Sequence, residues 1–290
     1  MRTRPEPRPT TRAPLPGFGR RRSSHLGAAY GLFRSFRHCP WTASGPCSSS
    51  GYDASKLAVE GDVVVVTVNY RLGAIGRLAH PGLDGAYESG NYGLLDQQAA
   101  LRWVQRNIAA FGGNRGNVTI FGESAGSIDT CAQIASPAAA GLFRRAIPQR
   151  GSCAAGARSD AGAEAEGQRL SAAVGCGDAA DVAACLRATP VKELIEGFGA
   201  AGLNAGLVVG DPRVLPRTYP DAIDSGRFNR VPVMHGSTLD EMRPYVGLEY
   251  PQPITVAKYE QVVRSTYGPA ADAVLGLYPA TRRAQSMPPS

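Results

Sequence analysis

An uninterrupted β-branched run places the tightest constraint on the fold. Positions 63–68 are Val, Val, Val, Val, Thr and Val, between Asp62 and Asn69. Such a segment is apolar toward both of its faces, as is typical of strands in a parallel sheet that helices cover on both sides. The run therefore predicts a buried strand, and it requires helices from neighbouring parts of the chain to cover it.

A helix and a second strand follow this run. Residues 93–111 repeat apolar side chains with a helical period, and the glycines at 112 and 113 end the pattern. The predicted apolar stripe consists of Leu94, Leu95, Ala99, Leu101, Trp103, Val104 and Ile108. Residues 117–121 (Asn-Val-Thr-Ile-Phe) predict a second short buried strand, followed by a helix over about 124–134. Strands that alternate with helices indicate an α/β fold with a mostly parallel sheet, which binds ligands at the carboxyl ends of its strands.

The rest of the chain extends this pattern. Residues 145–149 and 231–234 are further strand candidates, although Pro148 removes one ladder hydrogen bond. Two or three helices are predicted within 157–197, and others near 255–265 and 269–277. Residues 1–50 are rich in Arg, Pro and Ser without any period, so we expect mostly loop there and a folded domain over 51–290.

The positive charge lies in the first part of the chain. Residues 1–40 contain nine Arg and one acid, Glu6, which gives this segment a formal charge of +8. Because the whole chain has a formal net charge of +7, the other 250 residues carry −1 and are close to neutral. The basic segment lacks the interleaved aromatic residues of a nucleic-acid surface, so no nucleic-acid partner is expected. No apolar run approaches the length of a membrane span, and residues 26–33 are too short and too interrupted for a signal peptide.

The segment Gly122-Glu123-Ser124-Ala125-Gly126 carries the clearest chemical signal. It fits the pattern G-x-S-x-G and lies between a predicted strand and a predicted helix. A serine on such a tight turn projects its hydroxyl clear of the sheet, and the helix N-terminus offers backbone N–H groups to a developing oxyanion. We therefore predict that Ser124 is a nucleophile and that the N–H of Ala125 belongs to an oxyanion hole. The alternative is a turn of small residues that merely caps a helix.

Several further motifs agree with this reading. They are VVTVNYRLG (65–73), GNYGLLDQQ (90–98), ALRWV (100–104), FGG (111–113), NVTIFGESAG (117–126), LFRRAI (142–147), VPV (231–233) and the pair Asp240-Glu241. Together they resemble the type-B carboxylesterase family, which includes the cholinesterases and para-nitrobenzyl esterases, over about residues 50–285. The resemblance implies an α/β-hydrolase fold and hydrolysis of carboxylic esters through an acyl-enzyme, without a cofactor or metal.

The resemblance also implies the partners of the serine. Glu241 matches the acid of the family's catalytic triad, whereas its other interpretation is one of two acids at a helix N-terminus. The family's histidine lies farther beyond the acid than the 49 residues that follow Glu241. Of the four histidines, His235 ends a predicted strand near the expected site and is the candidate substitute base. His80 is predicted in a surface loop.

Other positions match the family less well. The oxyanion glycines have only a poor counterpart in the segment 25–31, so we expect the strand that carries them to be missing. Arg77 stands where the family usually has an aromatic residue, and Arg150 is unusual in a strand region. We therefore expect a fragment of a longer protein, with a fold that is incomplete at both ends. Arg71 and Asp96 are interpreted as structural polar residues, and Glu123 as a buried support beside the turn.

The six cysteines favour at least one disulfide. Cys176 and Cys185 lie where the resemblance implies a disulfide, and Cys131 and Cys153 are a possible second pair. Buried free thiols are the alternative. A disulfide would place the parent protein in an oxidising compartment, so we expect secretion.

Two functional hypotheses remain at this point. The first is a serine carboxylesterase that acts on a small-molecule carboxylic ester. The second is a catalytically inactive, truncated esterase-like protein or a binding module on the same scaffold, which the unmatched base and oxyanion glycines favour. Neither an oligomeric state nor the ester's acyl and alcohol parts follow from the sequence.

Overall fold

A computed structural model of the chain describes residues 27–32, 54–85, 89–154, 157–203, 206–239 and 243–280. The chain divides into two compact units, Met1–His235 and Gly236–Ser290. The strands of the first unit are β1 (Gly27–Leu32), β2 (Val63–Thr67), β3 (Asn114–Glu123), β4 (Arg145–Gln149), β5 (Ala157–Ser159) and β6 (Leu207–Val209). Its helices are α1 (Ser55–Glu60), α2 (Gly73–Arg77), α3 (Tyr92–Asn107), α4 (Ala125–Ala135), α5 (Asp160–Ala173), α6 (Val182–Ala188), α7 (Val191–Ala200) and α8 (Tyr219–Asp224).

The main sheet has the strand order β2-β1-β3-β4, and all of its pairs are parallel. The β-branched run forms the predicted strand, β2, but it is the outer strand of this sheet and its residues are half-buried or exposed rather than buried. The predicted strands at 117–121 and 145–149 are β3 and β4. The segment at 231–234 adds a single parallel bridge, from Val233 to Ala146 of β4. Because the strands are parallel, their carboxyl ends meet at one edge, where β3 leads into α4.

The centre of the sheet corrects one expectation from the sequence. Residues 1–50 were predicted as mostly loop and the central strand as missing, but β1 pairs with β2 on one side and β3 on the other. Leu32, its last residue, is level with Gly122 of β3. A buried parallel ladder needs a partner for each backbone N–H and C=O, and β1 supplies these partners between β2 and β3.

The main core lies between the sheet and the helices that cover it. It joins side chains of α3, the 3-10 turn after α3, β3, α4 and the segment after α4: Leu101, Val104, Ile108, Val118, Ile120, Ile134 and Phe143. Helix α3 confirms the predicted helix, and a 3-10 turn (Ile108–Phe111) follows it before Gly112 with φ of +81°. Two members of the predicted stripe are on the surface instead, since Ala99 and Trp103 are exposed.

A second core lies around α5, α6 and α7. The sequence predicts two or three helices within 157–197, and the structure has these three. Leu170, Leu186, Leu194 and Phe198 pack there with Cys176. The short strands β5 and β6 form a separate parallel pair. This part extends the first unit beyond the main sheet.

In the described part of the second unit, three α-helices are the main elements. They are α9 (Arg243–Glu249), α10 (Val256–Tyr267) and α11 (Ala271–Leu277), and the last two confirm the predicted helices near 255–265 and 269–277. The Arg264 guanidinium pairs with Asp272 at 2.8 Å, and the Tyr259 hydroxyl donates to the carbonyl of Tyr278. These contacts join α10 and α11 into a helical hairpin. Among the described residues, no helix has both the length and the apolar character that a membrane crossing requires.

Candidate active site

Ser124 occupies a strained turn between β3 and α4. The strand ends at Glu123 and the helix begins at Ala125, so the whole change of direction falls on one residue. Its backbone has φ of +57° and ψ of −114°, a region that residues with a side chain rarely adopt. Strain of this kind costs on the order of 1–3 kcal/mol and persists only where surrounding contacts impose it. The predicted turn is therefore present, with the geometry of a nucleophile elbow.

Glycines permit this turn because backbone atoms approach them closely. A Cβ on Gly122 would lie 2.3 Å from the carbonyl oxygen of Gly126, and a Cβ on Gly151 would lie 2.4 Å from that of Ser124. Both distances are far below any real contact. Gly122 of the motif and Gly151 after β4 are thus required by packing.

Hydrogen bonds hold the backbone of Ser124 in place. Its N–H donates to the carbonyl of Gln149 at 2.8 Å, and its carbonyl accepts from Ser127 N–H at 2.9 Å. Ala125 is the first residue of α4, so its N–H has no carbonyl one turn earlier in the helix. An N–H group at this position can stabilise a negative oxygen near Ser124.

His235 reaches the same loop after β4. Its Nε2 lies 3.2 Å from the carbonyl oxygen of Gly151, and the ring is exposed. A carbonyl oxygen only accepts, so Nε2 carries the proton in this arrangement and Nδ1 is the basic nitrogen. The candidate base thus lies one contact away from the backbone of Ser124, through Gly151.

Within the described residues, neither the candidate acid nor the remaining histidines add to this site. Glu241, the candidate acid, lies outside the described residues, as do His25 and His38. His80 lies in a loop as predicted, but it is buried rather than on the surface. Its Nδ1 accepts from the N–H of Gly82 at 3.0 Å, which caps a short 3-10 turn. This hydrogen bond indicates a structural role for His80, as the cap of that turn.

A charged pair lies directly beside Ser124. The Arg150 guanidinium contacts the Glu123 carboxylate at 2.7 Å, and 26% of the Arg150 side chain and 34% of the Glu123 side chain are exposed. Glu123 is therefore half-buried rather than the fully buried support that the sequence suggested. The pairing was missed because Arg150 belongs to the next strand's loop, 27 positions away.

A buried polar network anchors α4, the helix that begins at the elbow. Asp129 accepts from Arg77 Nη2 at 2.7 Å and from Gln97 Nε2 at 2.6 Å, and Gln133 in turn donates to Gln97 at 2.9 Å. All four side chains are almost inaccessible. The sequence contained one signal of this network, the arginine at a position that is usually aromatic, but not the identity of its partner.

Arg71 and Asp96, which the sequence suggested as structural polar residues, form an ion pair with each other. The Arg71 guanidinium donates to both carboxylate oxygens at 2.8 Å, and its backbone N–H adds a third hydrogen bond. Burial alone would raise the pKa of Asp96, but these hydrogen bonds and the charge of Arg71 hold that pKa below its ordinary value. The pair joins the segment after β2 to α3.

Among the described residues, two disulfides reinforce this unit. Cys176 joins Cys185, and Cys131 of α4 joins Cys153 in the loop that carries Arg150 and Gly151. The second closes a loop with a sequence separation of 22, for which chain entropy predicts about 3.4 kcal/mol of stabilisation. No group of three or more His, Cys, Asp or Glu within the described ranges could hold a metal ion.

Comparisons with known proteins agree with this geometry. The model of the carboxylesterase family matches residues 43–270. The para-nitrobenzyl esterase of Bacillus subtilis (strain 168) is 41% identical over 202 residues, which are 66% of this chain and 40% of that protein. This chain belongs to the carboxylesterase family.

Further relatives place the chain within that family. The fumonisin B1 esterase of Sphingopyxis macrogoltabida is 37% identical over 233 residues, 79% of this chain and 42% of that protein. The crystal structure of a Geobacillus stearothermophilus carboxylesterase aligns with a TM-score of 0.75 at 34% identity, and covers 90% of this chain and 55% of that one. The carboxylesterase chain described here thus has the α/β-hydrolase fold, and it spans about two fifths of the length of the curated relatives.

Proposed function

We propose that this carboxylesterase-family chain hydrolyses carboxylic esters, with Ser124 as the nucleophile. The backbone conformation of Ser124 carries the proposal. Ser124 has a positive φ, which glycine adopts at lower cost than serine, so packing alone would favour glycine at this position. The presence of serine therefore indicates a role for its hydroxyl group. The hydroxyl oxygen attacks the acyl carbon, the alcohol leaves, and water then hydrolyses the acyl-enzyme. The N–H of Ala125 stabilises the oxyanion in both steps.

His235 and Glu241 complete the proposed machinery. The serine proton needs an acceptor, and His235 is the histidine whose ring hydrogen-bonds to the loop against Ser124. Its Nε2 must leave the carbonyl of Gly151, or its ring must turn, before it can accept that proton. Glu241, whose place the family resemblance implies, would orient the imidazole. The two disulfides support a parent protein that folds in an oxidising compartment.

Covalent labelling tests the nucleophile. A fluorophosphonate reagent should modify Ser124 in the folded chain, as located by peptide mass spectrometry, and Ser124→Ala should abolish the labelling. Ser152→Ala is the matched control, because Ser152 is an exposed serine in the adjacent loop and its loss should leave the labelling intact. A folded chain whose Ser124 resists the reagent would contradict the proposal and favour a non-catalytic esterase-like protein.

The base is tested by turnover of a short-chain para-nitrophenyl ester. His235→Gln should lower Ser124-dependent kcat by at least about 100-fold, the usual contribution of a positioned general base. The same variant should bind the ester with an unchanged KM. Equal kcat in wild type and His235→Gln would remove His235 from the mechanism while leaving Ser124 in place.

A further inference from the structure

The loop formed by residues 150–153, directly after β4, lies against the turn that carries Ser124. The carbonyl of Gln149, the last residue of β4, accepts the N–H of Ser124 at 2.8 Å. Gly151 is so close to the Ser124 carbonyl oxygen that a Cβ on it would lie 2.4 Å from that atom. A movement of this loop therefore changes the surroundings of the Ser124 backbone.

Ser127 and Cys131, which lie one turn apart on α4, both hold this loop. The Ser127 hydroxyl donates to the Gly151 carbonyl at 3.1 Å, and Cys131 forms a disulfide with Cys153. Residues four positions apart share one face of a helix, so both attachments come from the same side of α4. Since α4 begins directly after Ser124, the disulfide ties the loop covalently to the helix that starts at the nucleophile turn.

The backbone around this turn is strained and needs such a restraint. Arg150 has φ of +54° and Ser124 has φ of +57°, a costly region for residues with a side chain. Strained conformations persist only where surrounding contacts impose them. The ladder between β3 and β4 ends at the pair of Glu123 and Gln149, so this ladder does not restrain the loop itself. The disulfide at Cys153 supplies a fixed point beyond the end of the ladder.

The same loop carries the contact of the candidate base. The Nε2 of His235 lies 3.2 Å from the Gly151 carbonyl oxygen, the atom that also accepts from Ser127. Gly151 is two positions before Cys153 in the chain. A shift of the loop therefore moves the candidate base relative to the nucleophile, and a misplacement of about 1 Å in an active site can lower the rate about 100-fold.

We propose that Cys131 and Cys153 are positioning residues of the ester-hydrolysing site, and that Ser124 is fully reactive only while their disulfide is intact. The inference rests on the proposed ester hydrolysis and makes that activity depend on an oxidising environment. It gives the disulfide a role in the reaction beyond its contribution to the stability of the fold.

A dithiol reductant can open this bond through its half-buried end. Cys131 is 1% exposed, whereas Cys153 is half-buried, so a reductant thiolate attacks the Cys153 sulfur. The S–S bond breaks and Cys131 leaves as a thiolate, which takes up a proton. The second thiol of the reductant then attacks the mixed disulfide and releases Cys153. Two electrons and two protons pass in total from the dithiol to the two cysteines, and the reductant becomes a cyclic disulfide.

The second disulfide provides a matched control, because Cys176 and Cys185 lie in the core around α5, α6 and α7. Cys131→Ala/Cys153→Ala and Cys176→Ala/Cys185→Ala each remove one disulfide without leaving a free thiol. The first variant should lower the rate constant for fluorophosphonate labelling of Ser124, and kcat for a short-chain para-nitrophenyl ester, by about 10- to 100-fold. Its KM should stay within about twofold, because the loss concerns the transition state. The second variant should keep the wild-type values.

Reversible reduction separates positioning from stability. Dithiothreitol treatment of folded wild type, well below its melting temperature, should slow the labelling of Ser124 in step with the alkylation of Cys153, and reoxidation by oxidised glutathione should restore it. A disulfide that only stabilises the fold would change the melting temperature and leave the rate of the folded chain unchanged.

The outcomes distinguish this inference from the function on which it rests. A folded Cys131→Ala/Cys153→Ala chain that labels at the wild-type rate would overturn the inference and leave the proposed function in place, as would equal losses in both disulfide variants. If that variant does not fold by circular dichroism, the reduction series decides: a constant labelling rate in folded chains with alkylated Cys153 would overturn the inference. Failure of the oxidised wild type to label at Ser124 would overturn the proposed function, and the inference with it.

Discussion

Substitution of Asp129 by Asn should destabilise the first unit strongly while preserving its shape. Asp129 and Arg77 contact each other at 2.7 Å, and only 6% of each side chain is exposed. The amide is isosteric with the carboxylate but carries no charge. Arg77 is then left as a buried cation that has lost the carboxylate in contact with it.

The burial of both partners sets the magnitude. Removal of one member of a buried ion pair typically costs about 3–5 kcal/mol, because the remaining charge stays desolvated. Arg77 already has one nitrogen, Nη1, with no hydrogen-bond partner among the described residues, which adds to its cost in the folded state. Replacement of both residues by apolar ones removes the desolvation cost of the two charges, but it also removes the carboxylate that accepts from Gln97 Nε2. The double variant Arg77→Phe/Asp129→Ala should therefore recover part of the lost stability.

Urea unfolding, followed by far-UV circular dichroism, measures these differences. Lys192→Ala provides the control, since Lys192 and Glu196 form an exposed i,i+4 pair at 3.8 Å that should contribute no more than about 0.5 kcal/mol. A loss below about 1 kcal/mol for Asp129→Asn would refute the argument from buried charge. A double variant less stable than either single variant would show that the pair is net stabilising in this core.

Two further predictions concern neighbouring contacts. Gly151→Ala should cost about 1–3 kcal/mol and slow the labelling of Ser124, because the new Cβ would overlap the Ser124 carbonyl; Gly85→Ala, which meets nothing within 4 Å, should change neither. The lowered pKa of Asp96 contributes stability that is full above its unfolded pKa of about 3.9 and is lost as the pH falls through the folded value. Asp96→Asn should thus differ most from wild type near neutral pH and converge with it in acid, whereas a constant difference across that titration would contradict the linkage to Arg71.

Local sequence patterns were sufficient for the elements close to the elbow. The β-branched composition of β2, the helical period of α3 and the strand-turn-helix context of Ser124 each depend on residues within one short segment. Short-range sterics and the need to bury apolar faces decide such features. The same reasoning misplaced Trp103, because helical period alone does not determine which edge of an apolar stripe the rest of the fold covers.

Contacts between distant segments needed the tertiary structure. Polar residues such as Gln97 and Asp129 are buried only because their partners arrive from elements 32 or more positions away, and nothing in their own segments predicts this. The position of β1 at the sheet centre also depends on distant segments, because β1 forms its backbone hydrogen bonds with β2 on one side and β3 on the other. The sequence by itself thus determined the serine and its turn. The tertiary structure alone decided which charge faces Glu123 and which histidine reaches Gly151, because both contacts depend on loops brought together by the parallel sheet.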